Sequence, residues 1–379
     1  MQALVHGNKN MTNRIESLDW LRGLMALVIM FYHLTSWHYF PLDSSVLLGR
    51  LGVYGVSIFF ILSGLSMAIV YSKFIVDRKT IVAFYVRRIF RIWPLLWLCI
   101  ALVTIPTLAR GGEASLEKLF LNLTTIFGFV SPGSYINTGA WSIGNEMVYY
   151  AFTPIIIMAY EKNKVMGNTL LLVSFAVTVM FSFYLMSPEM PLKEQWLIYI
   201  NPFNNLFLYV AGVAIYYNLS SVKLSLSGTL FLFGIATATF VFYPVCGDKI
   251  AIVTGWNRLA FLFASILMVI SFYKFTRYDL VPRGVQYPLE QLGMATYGVY
   301  LLHPVVNSYA GFALRKVGLE SSALLFAVVV VLTIITAIVS FNYFEKKIMR
   351  LGKRITSINS SLLESSENTS LTSACTRTK

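Results

Sequence analysis

The strongest constraint on this chain is a series of ten apolar runs, each long enough to cross a bilayer as an α-helix, which needs about 20 residues. Hydrophobic residues make up 57% of the 379 residues and charged residues only 12%. A soluble protein of this size cannot bury that much apolar surface. We therefore predict an all-α, polytopic membrane protein with about ten transmembrane helices. The runs lie at 18–38, 51–71, 90–109, 140–160, 168–187, 202–219, 226–245, 256–275, 292–312 and 322–343.

The segments outside these runs are short and predict one membrane domain. We predict an N-terminal cytoplasmic segment at 1–17, the membrane domain at 18–345, and a disordered, basic, Ser/Thr-rich tail at 346–379. The first run has no small-residue cleavage site and is too long for a signal-peptide core, so it is expected to remain as an anchor. The cysteines show neither metal-ligand spacing nor a disulfide framework, and we predict no metal site. They are Cys99, Cys246 and Cys375.

The basic residues of the chain predict its orientation in the membrane. The formal net charge is +13, which in a soluble protein would suggest nucleic acid. Here the basic residues cluster in short loops and in the tail, so we predict no nucleic-acid partner. If the N-terminus is cytoplasmic and ten helices span, 22 of the 30 Lys and Arg residues lie on the cytoplasmic side. The positive-inside rule then places both termini in the cytoplasm.

The first apolar run contains two ionisable residues, Arg22 and His33. They are separated by about three helical turns, or about 16 Å, so they share one helix face. Arg22 would lie near the cytoplasmic end and His33 toward the outer side. An ordinary interpretation has Arg22 extending to the interface and His33 satisfied inside the bundle. Ionisable groups are costly in a membrane, however, which favours a functional site.

A second basic cluster precedes the third run, at Arg87, Arg88 and Arg91. Their spacing of three and four residues places them on one patch of a helix. They are consistent with a positive-inside signal, but guanidinium groups aligned on one face also suit an anionic, phosphate-bearing cytosolic ligand.

A carboxylate lies about four residues inside the fourth run, at Glu146. No Lys or Arg occurs between positions 118 and 162, so it has no basic partner in its own helix. We predict that Glu146 contacts His33, at a similar depth, and orients its ring. Trp141 and Tyr150 are either interfacial aromatics or part of a sugar-binding site.

Three further residues are candidates for the acceptor site or for structural roles. His303 lies near the middle of the ninth run, with Tyr300 one turn below it. In the segment FFILSG, Ser63 and the glycine after it could serve only to allow close helix packing. No residue in these segments forms a recognisable metal site.

Six sequence blocks, in order, resemble the acyltransferase 3 family of integral membrane acyltransferases over residues 14–346. The blocks are RIESLDWLRGLMALVIMFYH, with Arg22 and His33 as its arginine–ten residues–histidine motif, GVSIFFILSG, RRIFRIWP, WSIGNEMVYY, YGVYLLHP and the closing Phe344–Glu345. LDW near the start and Leu65 after the SG pair depart slightly from the family pattern.

The resemblance implies a multi-pass protein of the bacterial inner membrane that transfers an acyl group, usually acetyl, from cytosolic acyl-CoA. No bound cofactor is implied, and acetyl-CoA is the donor substrate. The acceptor is usually a hydroxyl of a polysaccharide or of a lipid-linked carbohydrate. The phosphates of acyl-CoA would meet Arg88 and Arg91, with Arg22 or Arg87 as further ligands.

Within this interpretation His33 is the predicted general base, because an imidazole titrates near neutral pH. Arg22, a tyrosine hydroxyl or Ser63 would stabilise the oxyanion of the tetrahedral intermediate. A covalent acyl-enzyme on Ser63 or His33 is the mechanistic alternative. The alternative functions are a transporter of a sugar or polyanion that uses Arg22, His33 and Glu146 as a polar relay, and a membrane sensor or scaffold without turnover.

Overall fold

A computed structural model describes residues 15–357, and helices are the only regular secondary structure among these residues. Two π-helical turns lie at Phe181–Leu185 and Phe341–Glu345. A 3₁₀ turn lies at Tyr278–Leu280. The α-helices are α1 Glu16–His38, α2 Leu47–Tyr71, α3 Arg78–Ala109, α4 Leu116–Leu123, α5 Phe127–Val130, α6 Trp141–Lys162, α7 Lys164–Met180, α8 Trp196–Tyr199, α9 Pro202–Leu219, α10 Leu226–Phe242, α11 Ile250–Val253, α12 Gly255–Lys274, α13 Arg283–Met294, α14 Thr296–Lys316 and α15 Ser322–Ser340.

Every predicted apolar run coincides with one of the long helices, and the prediction of an all-helical, multi-pass membrane protein is confirmed. In the described part of the chain, 7 helices are long and apolar enough to cross a membrane by length and composition. The count of ten stays a prediction: α6 and α14 have 22 and 21 residues but contain many polar site residues, and α10 has only 17. The seven spans are Glu16–His38, Leu47–Tyr71, Arg78–Ala109, Lys164–Leu185, Trp196–Leu219, Gly255–Lys274 and Ser322–Ser357.

Helix α3 begins well before the apolar run that predicted it. Its first residue is Arg78, and Asp77 and Thr80 form a capping box in which each side chain accepts from the other residue's backbone N–H. At 32 residues, the helix is about 48 Å long, whereas the hydrocarbon core is about 30 Å thick. The arginines at 87, 88 and 91 therefore lie within the helix and not at its start.

The helix that begins with α15 continues through the π turn to residue 357. Gly352 packs on the ring of Phe90, and Thr356 accepts a hydrogen bond from Arg87. Prediction of a disordered tail from residue 346 is thus wrong for residues 346–357, because packing on α3 holds this segment as helix. The remainder of the predicted tail, 358–379, and residues 1–14 lie outside the described residues.

Close approach of α2 and α9 holds the centre of the bundle together. A Cβ added at Gly64 would lie 2.0 Å from the carbonyl oxygen of Tyr209, and one added at Gly212 would lie 2.0 Å from that of Ile61. Each glycine thus allows its own helix to contact the backbone of the other helix, which is the usual role of small residues between membrane helices. Gly64 therefore has the packing role weighed for it above.

Replacing Gly64 by alanine is expected to lower thermal stability, because the new methyl group overlaps the α9 backbone and overpacking costs about 1–3 kcal/mol. Gly234→Ala is the matched control, since a Cβ there meets nothing within 4 Å. The midpoint of thermal unfolding, followed by size-exclusion fluorescence in detergent, should fall only for Gly64→Ala. Equal midpoints for the two variants would contradict the close contact.

Candidate active site

A cavity of about 330 Å³, here called the main cavity, is enclosed mainly by α1, α2, α3, α6 and α14. Most of the predicted site residues meet there. The predicted residues that line it are Arg22, Ser63, Arg88, Arg91, Glu146, Tyr150 and Tyr300. The lining residues that sequence reasoning missed include Asp19, Ser66 and Ser142.

Arg22 is held by groups of α1 and α2. Its guanidinium donates to Oδ1 of Asp19 at 2.7 Å and also to Oγ of Ser66. Asp19 precedes Arg22 by three residues, a spacing that brings side chains together on a helix and could have been noticed in the sequence. Because Asp19 balances its charge, Arg22 offers hydrogen-bond donors to the cavity wall but little net charge.

Arg91 forms an ion pair with Glu345. Its Nη1 atom lies 2.6 Å from Oε2 of this carboxylate, which is only 2% exposed. The π turn Phe341–Glu345 presents both Glu345 and Phe341 to Arg91, whose guanidinium lies 5.9 Å from the Phe341 ring centre. Arg91 is thus already matched by a carboxylate, so it is a weaker phosphate ligand than its sequence position indicated.

Arg88 is the cavity arginine that makes no ion pair within residues 15–357. It donates to the hydroxyl of Tyr71 at 3.0 Å and lies over the rings of Tyr71 and Tyr150, at 5.2 and 5.7 Å from their centres. Its Nε atom is buried and has no hydrogen-bond partner among the described residues. A buried cation with an unused donor beside a cavity is suited to binding an anionic group.

Arg87 does not line the main cavity. Its Nε atom donates to Thr356 at 3.0 Å, and its guanidinium lies 4.5 Å from the ring centre of Phe74. The structure therefore gives the three arginines of the predicted cluster different partners. Arg87 binds the C-terminal helix, Arg91 forms an ion pair with Glu345, and Arg88 faces the cavity without an ion-pair partner among the described residues.

Glu146 contacts α2 instead of α1. Its Oε1 atom accepts hydrogen bonds from Ser63 at 2.6 Å and from the hydroxyl of Tyr150. The predicted contact between Glu146 and His33 is not made among residues 15–357, because hydroxyl groups of α2 and α6 already satisfy this carboxylate. The Ser63–Glu146–Tyr150 group forms one polar wall of the main cavity.

His33 pairs with His303. Nδ1 of His33 lies 2.9 Å from Nε2 of His303, and Nδ1 of His303 lies 3.0 Å from the carbonyl oxygen of Val299. A carbonyl only accepts, so Nδ1 of His303 carries a proton and its Nε2 accepts from Nδ1–H of His33. The neutral pair therefore leaves Nε2 of His33 with a free lone pair.

Aromatic rings surround the histidine pair. Trp37 stacks on His33 with ring centres 5.2 Å apart, and Tyr300 contacts His303 with ring centres 6.3 Å apart. Tyr300 also lines the main cavity, so it connects that cavity to the pair. Trp141 lies elsewhere: it is 6% exposed, packs on Phe60, and does not line the main cavity.

A second cavity, of about 570 Å³, lies at the opposite end of α1, where His38 lines it. His38 donates to Oδ1 of Asn307 at 2.7 Å. Arg22 and His38 are about 24 Å apart along the helix axis. The histidine pair lies between the two cavities, because His33 precedes His38 on α1 and His303 precedes Asn307 on α14.

Breaking the Arg91–Glu345 pair is expected to destabilise the protein. Arg91→Ala leaves a buried carboxylate without its partner, which costs about 3–5 kcal/mol, whereas Arg91→Met combined with Glu345→Gln removes both charges. The single variant should have a clearly lower unfolding midpoint in detergent, and the double variant should recover most of it. A double variant no more stable than Arg91→Ala would show that the pair is not what stabilises this region.

Comparisons with known proteins identify the family to which the chain belongs. A family model described as "Acyltransferase domain" matches residues 15–342. Nodulation protein 10 of Rhizobium leguminosarum bv. viciae is 28% identical over 195 residues, a match that covers 50% of this chain and 47% of that protein. The chain thus spans about half the length of that curated relative, and no solved structure matches it. With a family model covering nearly all of the described residues, the chain belongs to the acyltransferase 3 family of membrane acyltransferases.

Proposed function

We propose that this acyltransferase moves an acyl group, acetyl in the first instance, from cytosolic acyl-CoA to a hydroxyl of a cell-surface or lipid-linked carbohydrate. The observation that carries the proposal is the position of the His33–His303 pair between two cavities at opposite ends of α1. Such an arrangement suits a reaction whose two substrates approach from opposite sides of a membrane.

The main cavity is proposed as the donor site. Arg88 supplies a cation and an unused N–H donor for a phosphate of acyl-CoA, and the pantetheine arm extends along the cavity toward Tyr300. Charge-assisted hydrogen bonds to phosphate are stronger than neutral ones, and a guanidinium offers several in a fixed geometry. Arg22 and Arg91, each paired with a carboxylate, shape the cavity, and Arg88 is the lining arginine without an ion pair among the described residues.

His33 is proposed as the general base. Its free Nε2 takes the proton of the acceptor hydroxyl as the oxygen attacks the thioester carbonyl carbon. The tetrahedral intermediate then collapses, the C–S bond breaks, and the proton passes from His33 to the leaving CoA thiolate. His303 is a positioning residue, because its Nε2 accepts the Nδ1–H of His33 and so fixes the reactive tautomer.

In this proposal all ten long helices span a bacterial inner membrane and both termini are cytoplasmic, as the basic residues indicate. The main cavity then opens toward the cytoplasm, since Asp19 and Arg22 lie near the N-terminal end of α1. The second cavity lies on the outer side, where a carbohydrate acceptor is available.

Two alternatives to direct acyl transfer predict different experimental results. Ser63 donates to a carboxylate at 2.6 Å, which favours a covalent acyl-enzyme on this hydroxyl with Glu146 as its base. Incubation of purified protein with acyl-CoA alone, followed by mass spectrometry of peptides that contain Ser63, distinguishes that route from direct transfer. A transporter that uses Arg22, His33 and Glu146 as a relay would move its substrate without acyl-CoA consumption.

His33→Gln is expected to lower acylation of the envelope carbohydrate by about 10²–10⁴-fold, the usual contribution of a general base. His303→Gln should lower kcat by about 10²-fold through misplacement of His33, with little change in the KM for acyl-CoA. The measurement is acyl content of cell-surface glycans, with equal membrane levels of each variant confirmed, and kinetics once an acceptor is in hand. Near-normal acylation by His33→Gln would eliminate it as the base.

Arg88→Ala is expected to raise the KM for acyl-CoA by about tenfold or more, because one charge-assisted hydrogen bond is worth about 1.5–3 kcal/mol. Arg87→Ala is the matched control: it removes the same charge from the adjacent residue, but that side chain binds Thr356 outside the cavity. Acyl-CoA hydrolysis by purified protein provides the assay. Equal KM values for acyl-CoA in the two variants would show that Arg88 does not bind the donor and serves only as a positive-inside signal.

A further inference from the structure

The second cavity contains a concentration of positive charge that the acyl-transfer chemistry does not use. We propose that it is a binding site for a phosphate ester at the membrane surface, carried by the acceptor substrate. Its identification as an acceptor site rests on the proposed function; its affinity for a phosphate ester does not. The polar residues that line it are His38, Thr107, Arg110, Asn307, Ser308, Tyr309 and Arg315.

Two cations from the ends of α3 and α14 lie beside one ring, and a third lines the same cavity. The guanidinium of Arg110, at the end of α3, lies 5.0 Å from the ring centre of Phe312, and the ammonium of Lys316 lies 4.9 Å from it. Arg315, on the same turn of α14 as Lys316, lines the cavity with Arg110. Cations are favoured at the C-terminus of a helix, which accounts for the two on α14.

Arg110 also lies at a helix C-terminus, as the C-cap residue of α3, so the ends of two helices bring their cations to the same place. No carboxylate is among the residues that line the cavity, and none of these cations forms an ion pair within residues 15–357. The adjoining loops contain Glu113 and Glu320, but neither is paired with them. Like charges held close together without a counter-ion repel each other, and a bound dianion would relieve this repulsion.

The rest of the cavity wall is mostly apolar. Leu102, Val103, Pro106 and Leu325 form this wall. Beside them, Tyr309 and Phe312 are 45% and 41% exposed, as aromatic residues at a membrane interface often are. A soluble sugar phosphate would leave this wall unused, whereas a phosphate ester on a lipid chain would occupy both parts.

The cavity also reaches toward the proposed base. The His38–Asn307 hydrogen bond lies at its edge, and Asn307 is one helical turn beyond His303 on α14. A ligand anchored by phosphate between Arg110 and Arg315 would extend its polar groups toward the histidine pair. The site would therefore select acceptors by their anionic lipid anchor and not by the sugar alone.

The test is a direct binding measurement on the full-length protein in phosphatidylcholine nanodiscs, titrated with ³²P-labelled farnesyl phosphate. Unlabelled farnesol tests the need for the phosphate, and unlabelled phosphatidylglycerol tests a phospholipid as the source of the same chemistry. The variants are Arg110→Ala, Arg315→Ala and, as a matched control, Lys193→Ala, which removes an exposed cation outside the cavity.

Saturable binding is expected for the wild type and for Lys193→Ala, with a Kd raised about tenfold or more by each arginine substitution. Farnesol should fail to compete. Binding that is insensitive to both arginine substitutions, or displaced equally by farnesol, would overturn the site. Binding of phosphatidylglycerol but not of farnesyl phosphate would overturn its assignment to the acceptor. Because no acyl transfer is measured, these outcomes are independent of whether the protein is an acyltransferase of the proposed kind.

Discussion

A permanent charge in a hydrocarbon environment has to be paired or fully hydrogen-bonded, and the placement of helices in this protein depends on how that requirement is met. Arg50 and Arg258 are 4% and 2% exposed and have carbonyl oxygens as partners. Arg50 donates to carbonyls of Phe240 and Val245 at the end of α10, and Arg258 donates to Asn204 at the start of α9. Each arginine thereby fastens one helix to the end of another.

The charges around the main cavity follow the same rule with carboxylates in place of carbonyls. Arg22 is matched by Asp19, and Arg91 by Glu345. Arg88 departs from this rule, since its hydrogen-bonding partner is a tyrosine hydroxyl and its Nε atom is unused among the described residues. Arg88 is thus the residue on which the proposed binding of an anion depends, and the paired arginines keep the surrounding helices in place.

In the proposed mechanism, the histidine pair orients the general base without another buried charge. A carboxylate beside His33 would have required an ion in the low-dielectric interior, with its desolvation cost. A second neutral imidazole, itself held by the Val299 carbonyl, fixes the tautomer through hydrogen bonds alone. Glu146 is consequently available to bind Ser63 and Tyr150 across the main cavity.

What the sequence by itself determined is the set of elements: long apolar runs can satisfy their backbone groups in lipid only as helices, so the helical, multi-pass class followed from composition and length. Ionisable residues within those runs also made Arg22, His33 and Glu146 candidates, because such residues are costly in a membrane, and helical spacing made Arg88 a candidate just before the third run. Which of them meet was decided only by the tertiary structure. The pairing of His33 with His303 depends on α1 lying beside α14, and that of Arg91 with Glu345 depends on a helix that continues past the predicted end of the membrane domain. Neither partner lies within a few residues in sequence, so helical periodicity carries no information about the contact.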